Sequence, residues 1–455
     1  MSQRPTQQEG FPSLTDPLTR ESAPLFIENL LRGEKPREEW MCGVEFELFG
    51  YDRAREYARI DASQVQGVLA GFAPSSRDLV YEGGTVIEAA VGSMSRMTVE
   101  PGGQVEFSGA PHRTLYEVER ELRRYLSRLR EVAATNRLAF VAVGFDPLRT
   151  IEEQRWFPKM RYEVMRPYLA SRGARAWDMM CRTCAAQTNL DYGSPEDLTK
   201  KFLIGNRLAP VVTAIFANSP FENGRPSGYK STRAAAWLET DSDRTGAAPP
   251  SFSDDFTPED YVAYALDVPM IFAQRGGRYI GAVAGLRFRE FLERGHAGVT
   301  PVFGDWADHL TTIFTDARLK QHVELRGADA NSLDMTLALQ ALWKGLMYDT
   351  AALDESLRIA PRLKPSDAVA LRERVAREGL AARHAGVDVL KLAREAIELA
   401  AEGLKRIAPD EVSYLDVLRE RVVKEGLCPA DILLRDWEGS WHGSIERALE
   451  NLRVA

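Results

Sequence analysis

Five short segments of this chain alternate apolar with polar residues and set carboxylates or amides on one side. They read Val44-Glu45-Phe46-Glu47-Leu48, Thr98-Val99-Glu100, Gln104-Val105-Glu106-Phe107, Gln187-Thr188-Asn189-Leu190-Asp191 and His322-Val323-Glu324-Leu325-Arg326. Residues two apart in a strand point the same way. Glu45 therefore shares a face with Glu47, Gln104 with Glu106, and Glu324 with Arg326, each opposite an apolar face able to pack on a core. Acids gathered on one surface repel one another unless cations lie between them. Mg²⁺ takes oxygen ligands of this kind, usually together with substrate phosphates. The conjunction points to phosphoryl chemistry, although any one segment taken alone reads equally as a solvated strand face. Glu100 and Glu106 flank Pro101-Gly102-Gly103-Gln104, a turn that bends the chain between two acids. Glu324 beside Arg326 reads either as a structural salt bridge or as part of a site.

The remaining pattern predicts an α+β fold with an antiparallel sheet, since strands come early, helices come late and the two do not alternate. Strand-like segments near 78–82, 85–90 and 96–108 predict a meander with turns at Gly83-Gly84 and Pro101-Gly102-Gly103. Thr114-Leu115-Tyr116-Glu117 opens a helix as a capping box, and apolar residues follow at helical spacing to about Asn136. Ser194-Pro195-Glu196 opens a second helix running toward Asn218. Residues 222–255 are rich in Gly, Pro, Ser and Asp and read as a long irregular loop, a class that tends to be functional. From about Leu333 the chain is mostly helical.

At 455 residues the chain is long enough for a large core and about two or three domains. A net charge of −8 without a basic block excludes nucleic acid as an expected partner. No apolar run approaches the roughly 18–20 residues that span a bilayer, so no membrane association is expected. Residues 1–20 are polar and are expected to be a disordered tail. They lack a secretory core, and Glu9 and Asp16 suit a transit peptide poorly, so a cytoplasmic location is expected. Cys42, Cys181, Cys184 and Cys428 are too few for a disulfide scaffold. Cys181-Arg182-Thr183-Cys184 has no second cysteine pair for zinc and reads as buried thiols. His112, His296, His309, His322, His384 and His442 form no zinc spacing, and His309 reads as structural. Neither a P-loop nor a dinucleotide-binding glycine signature is present, and no nucleophile elbow marks a hydrolase.

Basic residues cluster in Lys159-Met160-Arg161-Tyr162, Lys230-Ser231-Thr232-Arg233 and Asp241-Ser242-Asp243-Arg244-Thr245-Gly246. Arginine forks suit carboxylates and phosphates. Arg244, held among acids in a Gly-rich stretch, is a candidate clamp for an anionic substrate, and an ordinary surface patch is the plain reading of each motif alone.

Assembled in order, these motifs resemble the plant-type glutamate–cysteine ligase family. The resemblance runs from about residue 21 to the end, through Glu100–Pro111, Pro158–Arg166, Asp178–Asp191, Phe216–Phe221, Thr240–Gly246, Tyr264–Met270, His309–Phe314 and Glu324–Asp329, to Gly426–Ala430 and Trp437–Trp441. It implies a glutamine synthetase-like fold, a curved antiparallel funnel surrounded by helices. Residues 21–455 would form one catalytic domain, with 333–455 its mainly helical part. It implies ATP- and Mg²⁺-dependent joining of the glutamate γ-carboxylate to the cysteine amine through a γ-glutamyl phosphate, the first step toward a glutathione-type thiol. A ligase of the same fold with another amine acceptor is the alternative.

By position, the resemblance gives Glu45, Glu47, Glu100, Glu106 and Glu324 as metal ligands, with Glu100, Glu324 and Arg326 in the catalytic set. Gln187, Asn189, Lys230 and Arg233 would contact the nucleotide, and Arg161, Tyr162 and Arg244 the substrate. The partners implied are the small molecules glutamate, cysteine and ATP, on a monomer or weak homodimer. Plant members carry cysteine pairs that act as a redox switch. The corresponding stretches here lack them, so no such switch is expected.

Overall fold

The computed structural model describes residues 11–455. Its centre is a ten-stranded sheet. The strands are β1 (Cys42–Asp52), β2 (Ala58–Arg59), β3 (Leu79–Glu82), β4 (Thr85–Ala90), β5 (Arg96–Val99), β6 (Val105–Ser108), β7 (Leu138–Val141), β8 (Ala185–Leu190), β9 (Ala317–Leu319) and β10 (Val323–Asp329). Their order is β9-β10-β8-β1-β6-β5-β4-β3, and β2 and β7 pair with the far end of β1. Every pairing within this sheet is antiparallel, as the α+β reading requires.

The alternation read from the sequence sorts the two faces. Phe46 lies opposite Phe107, and Phe107 opposite Met97, and all three are buried. Phe107 stacks on Tyr125 with ring centroids 4.4 Å apart. Tyr125 belongs to the helix Leu115–Asn136, whose capping box forms as expected: Thr114 Oγ1 accepts from Glu117 N, and the Glu117 carboxylate accepts from Thr114 N. The helices Pro195–Ile215 and Leu333–Met347 also pack on the sheet, against β10 and β8 respectively. The helix Val389–Ile407 crosses Leu333–Met347 closely: a Cβ on Gly345 would stand 2.2 Å from the Ala400 carbonyl oxygen. The chain end returns to the sheet, where Phe140 N–H donates to Ala455 O.

Two expectations need correction. Residues 11–20 are not part of a disordered tail, because they pack on the core. Phe11 meets Phe303 edge-on at 5.2 Å, Leu18 is buried, and Leu18 N–H donates to Pro301 O. Residues 1–10 lie outside the described residues. The stretch 222–255 is also not a continuous loop. Ser231 caps a helix over Thr232–Leu238, and Thr245-Gly246 pairs with Phe314-Thr315. Its Gly and Pro content reflects the turns between those pieces.

Candidate active site

The polar face of the sheet gathers the acids by register. Glu45 lies opposite Gln187 on β8 and Ser108 on β6, and Glu47 lies opposite Glu106. Thr98 on β5 continues that row beside Glu106. On the other flank Asn189 lies opposite Glu324, and Glu324 opposite Arg318 on β9. Hydrogen bonds then fix the side chains. Asn189 Nδ2 donates to Glu45 Oε1 at 3.0 Å. Glu47 accepts from Ala185 N at 2.7 Å and Gln187 Nε2 at 3.2 Å. Glu106 accepts from Thr98 Oγ1 and Ser108 Oγ at 2.9 and 3.0 Å.

The electrostatics of Glu45, Glu47 and Glu106 are those of acids short of cations. Burial raises the Glu47 carboxyl well above the usual range, and Glu100 and Glu106 add to the effect. Glu45 is pushed up to about 6 by burial, then by Glu324 and Glu106. Burial and Glu100 raise Glu106 likewise. The donor set is all oxygen and includes Asn189 Oδ1, a buried atom with no hydrogen-bond partner among the described residues. It suits a hard divalent cation. Among the described residues no three His, Cys, Asp or Glu side chains converge to hold an ion by themselves. Mg²⁺ tolerates this, because it keeps several waters and shares substrate phosphate oxygens with only one or two carboxylates.

Glu324, expected as a metal ligand, differs from the other acids in its partners. It is fully buried and clamped by Arg318, whose Nε and Nη2 reach its two oxygens, and by Lys320 Nζ at 3.0 Å. Arg326 Nη1 stands 3.3 Å away. Burial would raise this carboxyl, but Arg318, Lys320 and Arg326 outweigh it and hold it well below the usual range. A carboxylate so held stays ionised and anchors three cations of the chain. Arg326 Nη1 also donates to Gln187 Oε1 at 2.7 Å. Gln187 thus links the free acid Glu47 to Arg326.

The turn between Glu100 and Glu106 is built into the site floor. Gly103 has φ +78°, and a Cβ on Gly102 would fall 2.4 Å from the Cys181 carbonyl oxygen. Gln104 faces away from the acids, donating to the Met180 and Thr183 carbonyls at 3.2 and 3.0 Å. Arg59 Nη2 donates to Gly102 O. Glu100 N–H donates to Gln104 O and Glu100 O accepts from Gly103 N, both at 2.9 Å, and its carboxylate has no hydrogen-bond or ion-pair partner among the described residues.

The basic candidates divide. Arg161 stays near the sheet, over the Phe272 ring at 5.5 Å, with one long bond to Thr311 Oγ1 at 3.4 Å. Tyr162 is buried and its hydroxyl donates to Val99 O at 2.7 Å, so it positions β5 and has no free hydroxyl proton for substrate. Arg233 reaches the β-bulge of β10, donating to Arg326 O at 2.8 Å and lying 3.8 Å from Asp329. It therefore shapes the backbone under Arg326. Arg244 is fully buried, and its donors are taken by Asp241, Thr312, Tyr168 and the Pro269 carbonyl. No donor remains for a substrate. Lys230 turns to Asp431 in the C-terminal helices at 2.7 Å, away from the sheet. The last two are corrections: a charge motif in sequence does not say which carboxylate it meets.

Arg318, Lys320, Thr98 and Ser108 escaped the sequence reading. The signal was there for two of them, since Arg318 and Lys320 sit two apart beside the His322–Arg326 strand. Thr98 and Ser108 are short hydroxyls that only register places beside Glu106. All four cysteines are buried and unpaired. His309 is buried, with Nε2 donating to Ala265 O at 2.8 Å.

This large antiparallel sheet with a carboxylate-lined face and outer helices is a glutamate–cysteine ligase fold. The chain superposes on the crystal structure of the Francisella tularensis glutamate–cysteine ligase solved in complex with AMP, with a TM-score of 0.54 and 12% identity over 91% of this chain and 87% of that one. The chain belongs to glutamate–cysteine ligase family 2, whose profile matches residues 41–451. It is 39% identical to the chloroplastic glutamate–cysteine ligase of Brassica juncea over 96% of this chain and 85% of that protein. The Arabidopsis thaliana enzyme is also 39% identical, over 96% and 83%. The expected cytoplasmic location does not stand: these relatives are named chloroplastic.

Proposed function

We propose that this protein joins the γ-carboxylate of glutamate to the amine of cysteine at the expense of ATP, releasing ADP and phosphate. The observation that carries the reading is the row Glu45, Glu47 and Glu106, lacking cations, beside an arginine already oriented through Gln187. A carboxylate is a poor acyl donor because its leaving group would be oxide. Transfer of the ATP γ-phosphoryl group to a γ-carboxylate oxygen supplies a better one. The amine nitrogen then bonds to the acyl carbon, the carbon–oxygen bond to phosphate breaks, and the amine proton leaves to solvent.

Glu45, Glu47, Glu100 and Glu106, with Asn189, would hold Mg²⁺, which neutralises charge on the transferring group when bound. Arg326 presents a guanidinium pre-set by Gln187 and Glu324, so it stabilises developing negative charge with little reorganisation. Arg161, with its guanidinium nearly unpartnered, binds substrate carboxylate. Exclusion of water protects the acyl phosphate. The chain is proposed to act as a monomer or weak homodimer, which sedimentation would resolve.

The test is phosphate release by the purified protein with glutamate, cysteine, ATP and Mg²⁺ each omitted in turn. Release is expected to need all four. Other amines in place of cysteine separate a cysteine ligase from one of the same fold with a different acceptor. Phosphate release indifferent to glutamate sinks the reading.

A further inference from the structure

Lys159 precedes the helix Met160–Ala170 as its N-terminal flanking residue. Its ammonium lies 5.3 Å from the Tyr162 ring centroid. Tyr162 is itself pinned to Val99 O, one residue before Glu100. Lys159 therefore sits where the acidic turn meets the edge of the sheet face. The charged groups that act on it are Arg161, Glu100, Glu106 and Glu82. Glu82 is engaged elsewhere, accepting from Met160 N at 2.5 Å. Apart from Arg161, the other cations of this region have partners: Arg318 and Lys320 hold Glu324, Arg326 holds Gln187, and Arg233 holds the bulge. Lys159 has no hydrogen-bond or ion-pair acceptor for its ammonium among the described residues.

Withdrawing an ammonium even partly from water without a counter-charge is unfavourable. Burial lowers its proton affinity accordingly, and Arg161 lowers it further. An aromatic face returns only a part of this. Lysine binds anionic oxygen as a compact point charge, without the planar demand of arginine. The free acids nearby would be occupied by cations during turnover, which leaves Lys159 to meet an anion from outside the chain.

We infer that Lys159 is a substrate-binding residue that takes an anionic oxygen on the acidic face. That oxygen is either a carboxylate of the amino-acid substrate or a phosphoryl oxygen of the nucleotide. The inference rests on the ligase reading above and names a residue of that same site. Its test is steady-state kinetics of Lys159→Met and Lys159→Arg with glutamate and ATP varied separately. Methionine keeps the stem over Tyr162 and removes the charge.

Lys159→Met is expected to raise one KM by 10-fold or more. A rise for glutamate assigns the carboxylate and a rise for ATP the phosphoryl group, while Lys159→Arg recovers most of the affinity. Both KM values within twofold of the wild type, whatever happens to kcat, overturn the assignment. So does an equal rise in both that Lys159→Arg fails to rescue, which marks a structural role. If Lys159→Met does not fold by circular dichroism, Lys159→Gln is read by the same criteria. A wild-type protein that releases no phosphate with glutamate and cysteine refutes the ligase reading itself, whereas an active wild type with an unchanged Lys159→Met refutes Lys159 alone.

Discussion

Replacing Glu45 by Gln should stabilise the metal-free protein while removing its turnover. The Glu45 carboxyl sits at about 6 rather than 4.5 because burial, Glu324 and Glu106 disfavour its charge. At about 1.4 kcal/mol per tenfold change in proton affinity, the ionised form costs about 2 kcal/mol at neutral pH. Solvent reaches part of this side chain, and screening brings the figure to about 1–2 kcal/mol. The glutamine oxygen still accepts from Asn189 Nδ2, so the hydrogen bond survives.

The folded carboxyl binds its proton more tightly than the unfolded one. The wild type therefore has its full contribution from Glu45 below pH 4.5 and loses it as pH rises through about 6. Glu45→Gln should lack that loss. With unfolding entropy near 2 cal/mol/K per residue, 1 kcal/mol is about 1 °C for a chain of this length. Differential scanning fluorimetry in EDTA at pH 7.5 should then place the variant about 1–2 °C above the wild type. Addition of Mg²⁺ and ATP should reverse the order. A ligand at 100 times its Kd stabilises by about 2.7 kcal/mol, and the variant has lost a ligand for the ion. A variant that melts below the wild type in EDTA, or gains as much from Mg²⁺ and ATP, refutes the claim that Glu45 awaits a cation.

Other outcomes follow from the same geometry. Arg318→Met leaves Glu324 buried with its bidentate partner gone and should lower unfolding free energy by about 3–5 kcal/mol, read from a urea midpoint; an unmoved midpoint would show that Lys320 and Arg326 suffice. Gly102→Ala forces a methyl to 2.4 Å from the Cys181 carbonyl oxygen, so the Glu100 turn must shift, and the KM for Mg²⁺ should rise at least 10-fold in an activity titration. The His309 imidazole is held down to about 3, mainly by burial, against an ordinary value of 6.5. The unfolded chain therefore takes up a proton that the native site refuses, and stability falls as pH drops from 6.5 toward 3, by up to about 5 kcal/mol. His309→Gln should show a shallower acid limb of melting temperature. Lys230→Ala should leave the KM for ATP within twofold, since its partner is Asp431; a larger rise would return Lys230 to the nucleotide site.

Legibility in the sequence tracked the range of the interaction. Period-two alternation is a local property, and it showed that Glu45 and Glu47 face away from Phe46, and that Glu106 faces away from Phe107. The capping box at Thr114 and the helical spacing behind it were local too. The clustered glycines and prolines of 222–255 misled because the helix at Thr232 is nucleated by Ser231 and packed from outside.

The sequence by itself determined that acids line one face of a sheet and apolar side chains the other, since backbone geometry alone sets that alternation. Only the tertiary structure decided which acids are free. Glu324 and Glu45 look alike in sequence, yet register brings Arg318 across from one and Gln187 across from the other. The difference between a paired anchor and a carboxylate that awaits a cation is a Coulombic one over a few ångströms. For Glu45 those few ångströms are fixed by a strand more than a hundred residues away in the chain, and for Glu324 by the folding back of the strand just before it.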